Sequence, residues 1–269
     1  MKNFENKVVV ITGVGSGIGR ALTLEFHKKG AKLALNDYDE TSLLETVEMV
    51  GGSQQVYHKA FDVSDKKAFY QYAEEVAEHY GQVDVVINNA GVAIANHSTD
   101  KTTLEDYEWI IGINLWGMMY GTLAFLPHLR KQKESSVVNI SSLFGLIGFP
   151  QNVAYSTTKF GIRGFSEGLA IEERLMKTGV VVTSVHPGGI KTNIARNSRH
   201  AGDDEKNIEK FEKAFITTPE DAALTIINGI SKKKLRVVVG IDAKMLFFIS
   251  KISQGLSLWV IAQFAKKYS

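Results

Sequence analysis

The chain has 269 residues, 44% of them hydrophobic, with 31 basic against 29 acidic side chains and no cysteine. A chain of this length can bury a sizeable core without a covalent staple, and the lack of thiols excludes a disulfide scaffold, a thiol nucleophile and thiolate-bound zinc or iron–sulfur sites. The net charge of +2 argues against a nucleic-acid binder working by phosphate neutralisation, and the basic excess is local: eight basic residues and one acidic follow from Ser231 onward.

The N-terminus reaches its apolar run at Val8 with no apolar signal region or small-residue cleavage site before it, so a cytoplasmic protein is expected. Short apolar runs then recur at Val8–Ile11, Lys32–Leu35, Val83–Ile87, Ser136–Ile140, Val180–Val185 and Arg236–Val239. Near-continuous β-branched runs are what strands buried on both faces require, and the stretches between them, Gly19–Lys29, Asp65–His79, Leu104–Leu129 and Ala154–Lys177, have helical periodicity. This alternation predicts an α/β fold, a doubly wound parallel sheet of Rossmann type, as a single domain over residues 1–240. Gly30 is the expected glycine beyond the end of the first helix.

After the first run comes Thr12-Gly13-Val14-Gly15-Ser16-Gly17-Ile18-Gly19. Glycines there let the backbone turn and let a pyrophosphate approach the amides at the positive end of the following helix. The strict G-x-G-x-x-G spacing fails in every register; the sequence offers T-G-x-x-x-G-x-G instead. Ser16 reads as an N-cap or phosphate contact. The second run ends at Asn36-Asp37, where a carboxylate would accept both hydroxyls of an adenosine ribose and repel a 2′-phosphate, favouring NAD over NADP. Asp37 and Asp39 also suit a turn that caps a helix near Thr41.

Tyr155 and Lys159 stand four apart, one turn of helix, on one face. An ammonium beside a phenol, together with the charge of an oxidised nicotinamide, would bring its pKa down from ~10 toward the working pH. Alone the pair means little. In chain order with Thr12–Gly19, Asn88-Asn89-Ala90-Gly91, Asn114, Ser142 and Pro187-Gly188, it resembles the short-chain dehydrogenase/reductase family over nearly all of Val8–Gly240. The resemblance implies that Tyr155 exchanges a proton with the substrate oxygen, Ser142 hydrogen-bonds that oxygen, Lys159 tunes Tyr155 and holds the nicotinamide ribose, and Asn114 holds a relay water. Asn114 also reads as a helix-kink asparagine bonded to backbone. The resemblance assigns cofactor contacts to Gly13, Ser16, Gly17, Ile18, Gly19, Asp37, Asp62 and Val63 after the third strand, Asn89, Ala90, Gly91, Pro187, Gly188, Ile190 and Thr192. It implies an oxidoreductase moving a hydride between NAD(H) and an alcohol or carbonyl, assembled as a homodimer or homotetramer.

The seven histidines show no metal-ligand spacing, so no metal is expected. Trp109, Trp116 and Tyr120 read as core or subunit packing. Phe144, Leu146, Ile147 and Phe149 suggest an apolar substrate. Residues 193–218 read as a lid or a solvated helix. In Met245–Phe264 an apolar stripe at 245, 248, 249, 252, 256, 259, 260 and 264 predicts an amphipathic helical extension over 241–269. Lys251, Gln254 and Gln263 interrupt it as a membrane span; packing on a subunit or the pocket is favoured over peripheral membrane contact. Two other readings compete. A non-catalytic dinucleotide-binding sensor or scaffold is opposed by the intact Ser142, Tyr155 and Lys159, and a methyltransferase leaves the tyrosine–lysine pair unexplained.

Overall fold

The computed structural model describes residues 1, 3–52, 56–94, 97–200, 202 and 215–266. The strands are β1 (Val8–Thr12), β2 (Lys32–Asp37), β3 (Tyr57–Ala60), β4 (Val85–Asn88), β5 (Ser135–Ile140), β6 (Val180–Pro187) and β7 (Arg236–Val239). They form one parallel sheet in the order β3-β2-β1-β4-β5-β6-β7. The helices are α1 (Gly17–Lys28), α2 (Glu40–Glu48), α3 (Lys66–Tyr80), α4 (Leu104–Ile111), α5 (Met118–Leu129), α6 (Val153–Met176), α7 (Pro219–Ser231), α8 (Ile241–Ile252) and α9 (Gln254–Ala265).

Alternate strand residues face opposite layers, which is why the apolar runs are continuous. Val9, Ile11, Leu33 and Leu35 pack with Leu22 and Phe26 of α1 and Ile226 of α7, while Val8, Val10 and Ala34 pack with Phe69 and Tyr72 of α3 and Phe125 of α5. Gly30 takes φ +72° just past α1, the left-handed conformation a glycine tolerates best. Asp39 caps α2 by accepting from the Thr41 amide.

Three elements depart from the expectation. The edge strand β3 carries Tyr57 and Lys59, which bond Glu75 of α3, so it shows no apolar run. Leu104–Leu129 is one helical run, but Gly112–Gly117 within it is π-helical. That run is long and apolar enough to cross a membrane by composition, yet half of its most apolar window is buried against the rest of the protein. The C-terminal extension is two helices, because Ser253 is extended (φ −154°, ψ 120°) and ends α8.

Strand order reverses between β1 and β4. In an open α/β sheet the crevice at the carboxyl ends of strands beside such a reversal is where ligands bind.

Candidate active site

The carboxyl ends of the strands open into a cavity of about 1050 Å³ that runs from Gly13, Gly17 and Asp37 at one end to Ser142, Tyr155 and Ile249 at the other. Of the expected site residues, Gly13, Ser16, Gly17, Ile18, Asp37, Asp62, Val63, Asn89, Ala90, Gly91, Ser142, Tyr155, Lys159, Pro187, Gly188, Ile190 and Thr192 lie on its wall. Gly19 and Asn114 stand just behind it.

The glycine-rich turn is shaped by close approach. Gly13 has φ +69°, and a Cβ there would meet the Ala90 Cα at 2.7 Å. At Gly15 a Cβ would meet the Asp37 carboxylate at 3.0 Å, and at Gly19 it would collide with the Gly13 carbonyl. Asn89 holds the turn from β4, its amide donating to the carbonyls of Thr12 and Gly13, both at 2.9 Å. The amides of Asn89 and Ala90 in turn donate to the Thr12 hydroxyl. Ser16 occupies the N-cap position of α1, and its side chain makes no capping bond. A turn whose Gly13, Gly15 and Gly19 leave no room for a side chain, at a helix N-terminus, fits a dinucleotide pyrophosphate.

At the end of β2, Asp37 is buried and accepts from the Gly15 amide at 2.8 Å and the Asp39 amide at 3.1 Å. These bonds hold Asp37 in the turn that leads into the Asp39 cap of α2. A cation that sequence spacing did not reveal also reaches this end: Arg20 lines the cavity, yet its guanidinium is engaged by Glu45, Thr46 and the carbonyls of Gly15 and Ser42. Asp62 accepts from the amide and hydroxyl of Ser64, which aims it at the same end.

Helix α6 begins at Val153 and places Tyr155 and Lys159 one turn apart on its inner face. Ser142 follows β5 and hydrogen-bonds the Tyr155 phenol. Its neighbour Ser141 instead points away, donating to the Lys159 carbonyl at 2.7 Å. Lys159 Nζ lies 5.3 Å from the Tyr155 ring centroid and donates to the Ile140 carbonyl at 3.1 Å. Burial pushes the Tyr155 phenol up to about 12, against the lowering effect of the Ser142 bond, and burial brings Lys159 down to about 8. The protein alone therefore raises the tyrosine's pKa, where the sequence led us to expect a lowering. Desolvation of the buried phenol dominates.

Asn114 lies in the π-helical segment, the kind of irregular turn that accompanies functional sites. Its Oδ1 accepts from the Val92 amide at 2.8 Å, and its Nδ2 donates to the Val92 carbonyl and to Thr158. This side chain matches the kink reading and pins the segment after β4 beside Gly91 and Lys159.

Residues outside the expected set complete the site. His186, at the end of β6, is fully buried; its Nδ1 lies 3.0 Å from the Ser142 carbonyl and its Nε2 3.1 Å from the Ser184 hydroxyl. A carbonyl only accepts, so Nδ1 carries the proton, and burial holds the ring neutral with its pKa down to about 4. Asp242, at the start of α8, accepts from the Gly189 amide at 2.7 Å and ties the extension to the Pro187–Gly189 turn. Trp109 lines the cavity beneath Arg199, whose guanidinium lies 4.1 Å from a Trp109 ring centroid, so it is more than core packing. Trp116 is exposed and stacks on Tyr120.

The apolar end of the cavity is walled by Leu143, Phe144, Ile147 and Phe149, with Met245, Ile249, Val260 and Ile261 of the extension. Leu146 is the exception among the expected pocket residues; it lies off the wall, buried in a cluster with Ile147 and Ile261. The expected lid lies partly outside the described residues, which omit 201 and 203–214. Its described start is fastened down: Arg199 bonds the Ala93 carbonyl and the buried Asp106 carboxylate, and His200 stacks on His97 with ring centroids 4.6 Å apart.

Comparison with known proteins agrees with this geometry. The family described as short chain dehydrogenase matches residues 7–203. SadH of Mycobacterium tuberculosis, described as an oxidoreductase, is 46% identical over 256 residues, covering 94% of this chain and 92% of its own. Mouse dehydrogenase/reductase SDR family member 7B is 31% identical over 97% of this chain and 82% of its own. Among solved structures, a short-chain dehydrogenase/reductase from Burkholderia phymatum in complex with NAD superposes with a TM-score of 0.87 at 25% identity, covering 95% of this chain and 96% of that one. Levodione reductase superposes with a TM-score of 0.81 at 28% identity, covering 90% and 98%. The chain belongs to the short-chain dehydrogenase/reductase family of oxidoreductases.

Proposed function

We propose that the protein interconverts an apolar alcohol and its carbonyl compound with NAD(H), using Tyr155 as the acid and base. The observation that carries this reading is the Ser142–Tyr155–Lys159 cluster, placed where the glycine-lined arm of the cavity meets its apolar arm. Bound NAD(H) supplies the hydride acceptor or donor and, when oxidised, a positive charge.

In the reducing direction the Tyr155 phenol, protonated at neutral pH, gives its proton to the carbonyl oxygen as that oxygen gains negative charge. The Ser142 hydroxyl donates a hydrogen bond to the same oxygen, and the buried Lys159 ammonium stabilises the phenolate left on Tyr155. In the oxidising direction Tyr155 takes the alcohol proton, which first requires a lower pKa. An oxidised cofactor held there would supply a positive charge that acts in that sense. NAD is favoured over NADP because the Asp37 carboxylate stands at the ribose end and the nearby Arg20 is already bonded. The aromatic and aliphatic wall supports an apolar substrate. Homodimer or homotetramer assembly is proposed from the exposed apolar side chains Trp116, Leu123, Phe160 and Ile171, and sedimentation tests it.

The deciding experiment pairs NADH titration by fluorescence with an alcohol screen read at the reduced-nicotinamide absorbance. Tyr155→Phe should bind NADH and lose turnover by about 10²-fold or more, in keeping with general acid–base catalysis. Unchanged turnover would refute the mechanism, and binding without turnover of any alcohol by the unaltered protein would favour the sensor reading.

A further inference from the structure

The C-terminal helices carry apolar surface that the protein's own core does not use. In α8, Ile241, Met245, Phe248 and Ile252 recur at intervals of four, three and four residues, so they fall on one stripe of the helix. They are 72%, 61%, 65% and 68% exposed. The sequence favoured subunit or pocket packing for its stripe, and Met245, Ile249 and Val260 do line the cavity, but the buried side of α8 is Ala243 with Leu246 and Phe247. Beyond the break at Ser253, Leu256, Leu258 and Trp259 are exposed as well.

The two borders of the α8 stripe differ in chemistry. Lys244 and Lys251 are exposed about 70° round the helix on one side, with the Lys251 ammonium 4.6 Å from the Phe247 ring centroid. On the other side Ile249 lines the cavity. No Asp or Glu follows Asp242 in the chain, whereas Lys244, Lys251, Lys266 and Lys267 do.

We propose that this face docks the protein on an anionic lipid surface, with the α8 stripe at the acyl boundary and Lys244 and Lys251 at the headgroup phosphates. An exposed apolar stripe bordered by lysines is the composition of an interfacial helix. The geometry excludes a span by either helix. Each has 12 residues, a rise of about 18 Å against about 30 Å of hydrocarbon. Charge disfavours a second copy of the chain as the occupant, since two such faces would meet lysine to lysine with no carboxylate after Asp242 to pair them. Met245 belongs both to the stripe and to the cavity wall, so the docked face adjoins the apolar end of the cavity. Supply of substrate from the bilayer rests on the substrate reading above; docking itself does not.

The test is flotation of the full chain with vesicles of phosphatidylcholine and phosphatidylglycerol, and with phosphatidylcholine alone, with tryptophan emission as a second readout. The chain should float with the anionic vesicles, shift its emission to shorter wavelength, and bind less on the neutral vesicles or in high salt. The variant Phe248→Gln/Trp259→Gln should partition about tenfold or more weaker, from the apolar area lost, while NADH binding and circular dichroism stay unchanged. Absence of flotation with anionic vesicles would overturn the proposal, as would equal flotation of the variant. A dimer seen by sedimentation that the variant dissociates, without flotation, would assign the face to a second copy instead.

Discussion

Lys159 is held at a price in stability, and replacing it by methionine should expose that penalty. Burial brings its pKa to about 8, against 10.5 for the free side chain. The folded-state value lies below the unfolded one, so between those limits the unfolded chain keeps a proton that the folded chain has shed. Stability therefore rises as pH climbs through that window, and below pH 8 the full penalty applies. At ~1.4 kcal/mol per unit, the desolvated ammonium costs about 3 kcal/mol at pH 7 and about 1 kcal/mol at pH 10. Lys159→Met removes the charge but strands the Ile140 carbonyl, which Lys159 bonds at 3.1 Å, a loss of about 1 kcal/mol at every pH. The stability difference between the variant and the parent should thus shift by roughly 2 kcal/mol in the variant's disfavour from pH 7 to pH 10. Urea unfolding of both cofactor-free proteins at the two pH values measures it, and turnover should be lost in the variant throughout. A difference that does not change with pH would refute the desolvation argument, and with it the account of why this lysine is tuned.

The remaining predictions concern the rest of the site. Asp37→Ala should shift the preference between NADH and NADPH toward NADPH, by about tenfold or more for a charge contact of a few kcal/mol, because the repelling carboxylate goes while Arg20 stays; fluorescence titration with both cofactors reads it, and an unchanged ratio would place discrimination elsewhere. Gly19→Ala should abolish NADH binding, since the new Cβ has no space beside the Gly13 carbonyl and the Asn89 amide. His186→Asn keeps a donor toward the Ser142 carbonyl but removes a ring whose pKa burial lowers from 6.5 to about 4. Acid unfolding from pH 7 to pH 5 should therefore take about 2 kcal/mol less from the variant than from the parent, and equal losses would mean that the histidine is not held neutral by burial.

The parts of this molecule that were legible in the sequence are those fixed by neighbours in the chain. Val8–Ile11 reads as a strand because both faces are covered, Gly13–Gly19 as a cradle because only glycine fits those approaches, and Tyr155 and Lys159 as a pair because one helical turn joins them. What escaped was set by distant contacts. β3 is an edge strand whose Tyr57 and Lys59 answer to Glu75, so its polar side chains hide it from an apolar-run search. The break at Ser253 has neither proline nor glycine at the position itself, and the periodicity continues across it. Trp109 on the cavity wall is covered by Arg199, ninety positions further along the chain.

This division has a chemical logic. The groups proposed to react, Ser142, Tyr155 and Lys159, sit just after a strand end and on one helix turn, so a short local pattern suffices to specify them. The wall that would select a substrate is assembled by long-range bonds: Asp242 to the Gly189 amide, and Arg199 to Asp106 and the Ala93 carbonyl. These bonds tie segments beyond the strands to one another, to the turn after β6, to α4 and to the stretch after β4, so the wall can be rebuilt by substitutions that leave Ser142, Tyr155 and Lys159 where they are. The proposed reacting groups are therefore encoded locally and the cavity wall non-locally. Asp242 is the residue at which the two meet: it fixes the turn that follows β6 at the cofactor end and starts the helix whose Ile249 closes the apolar end.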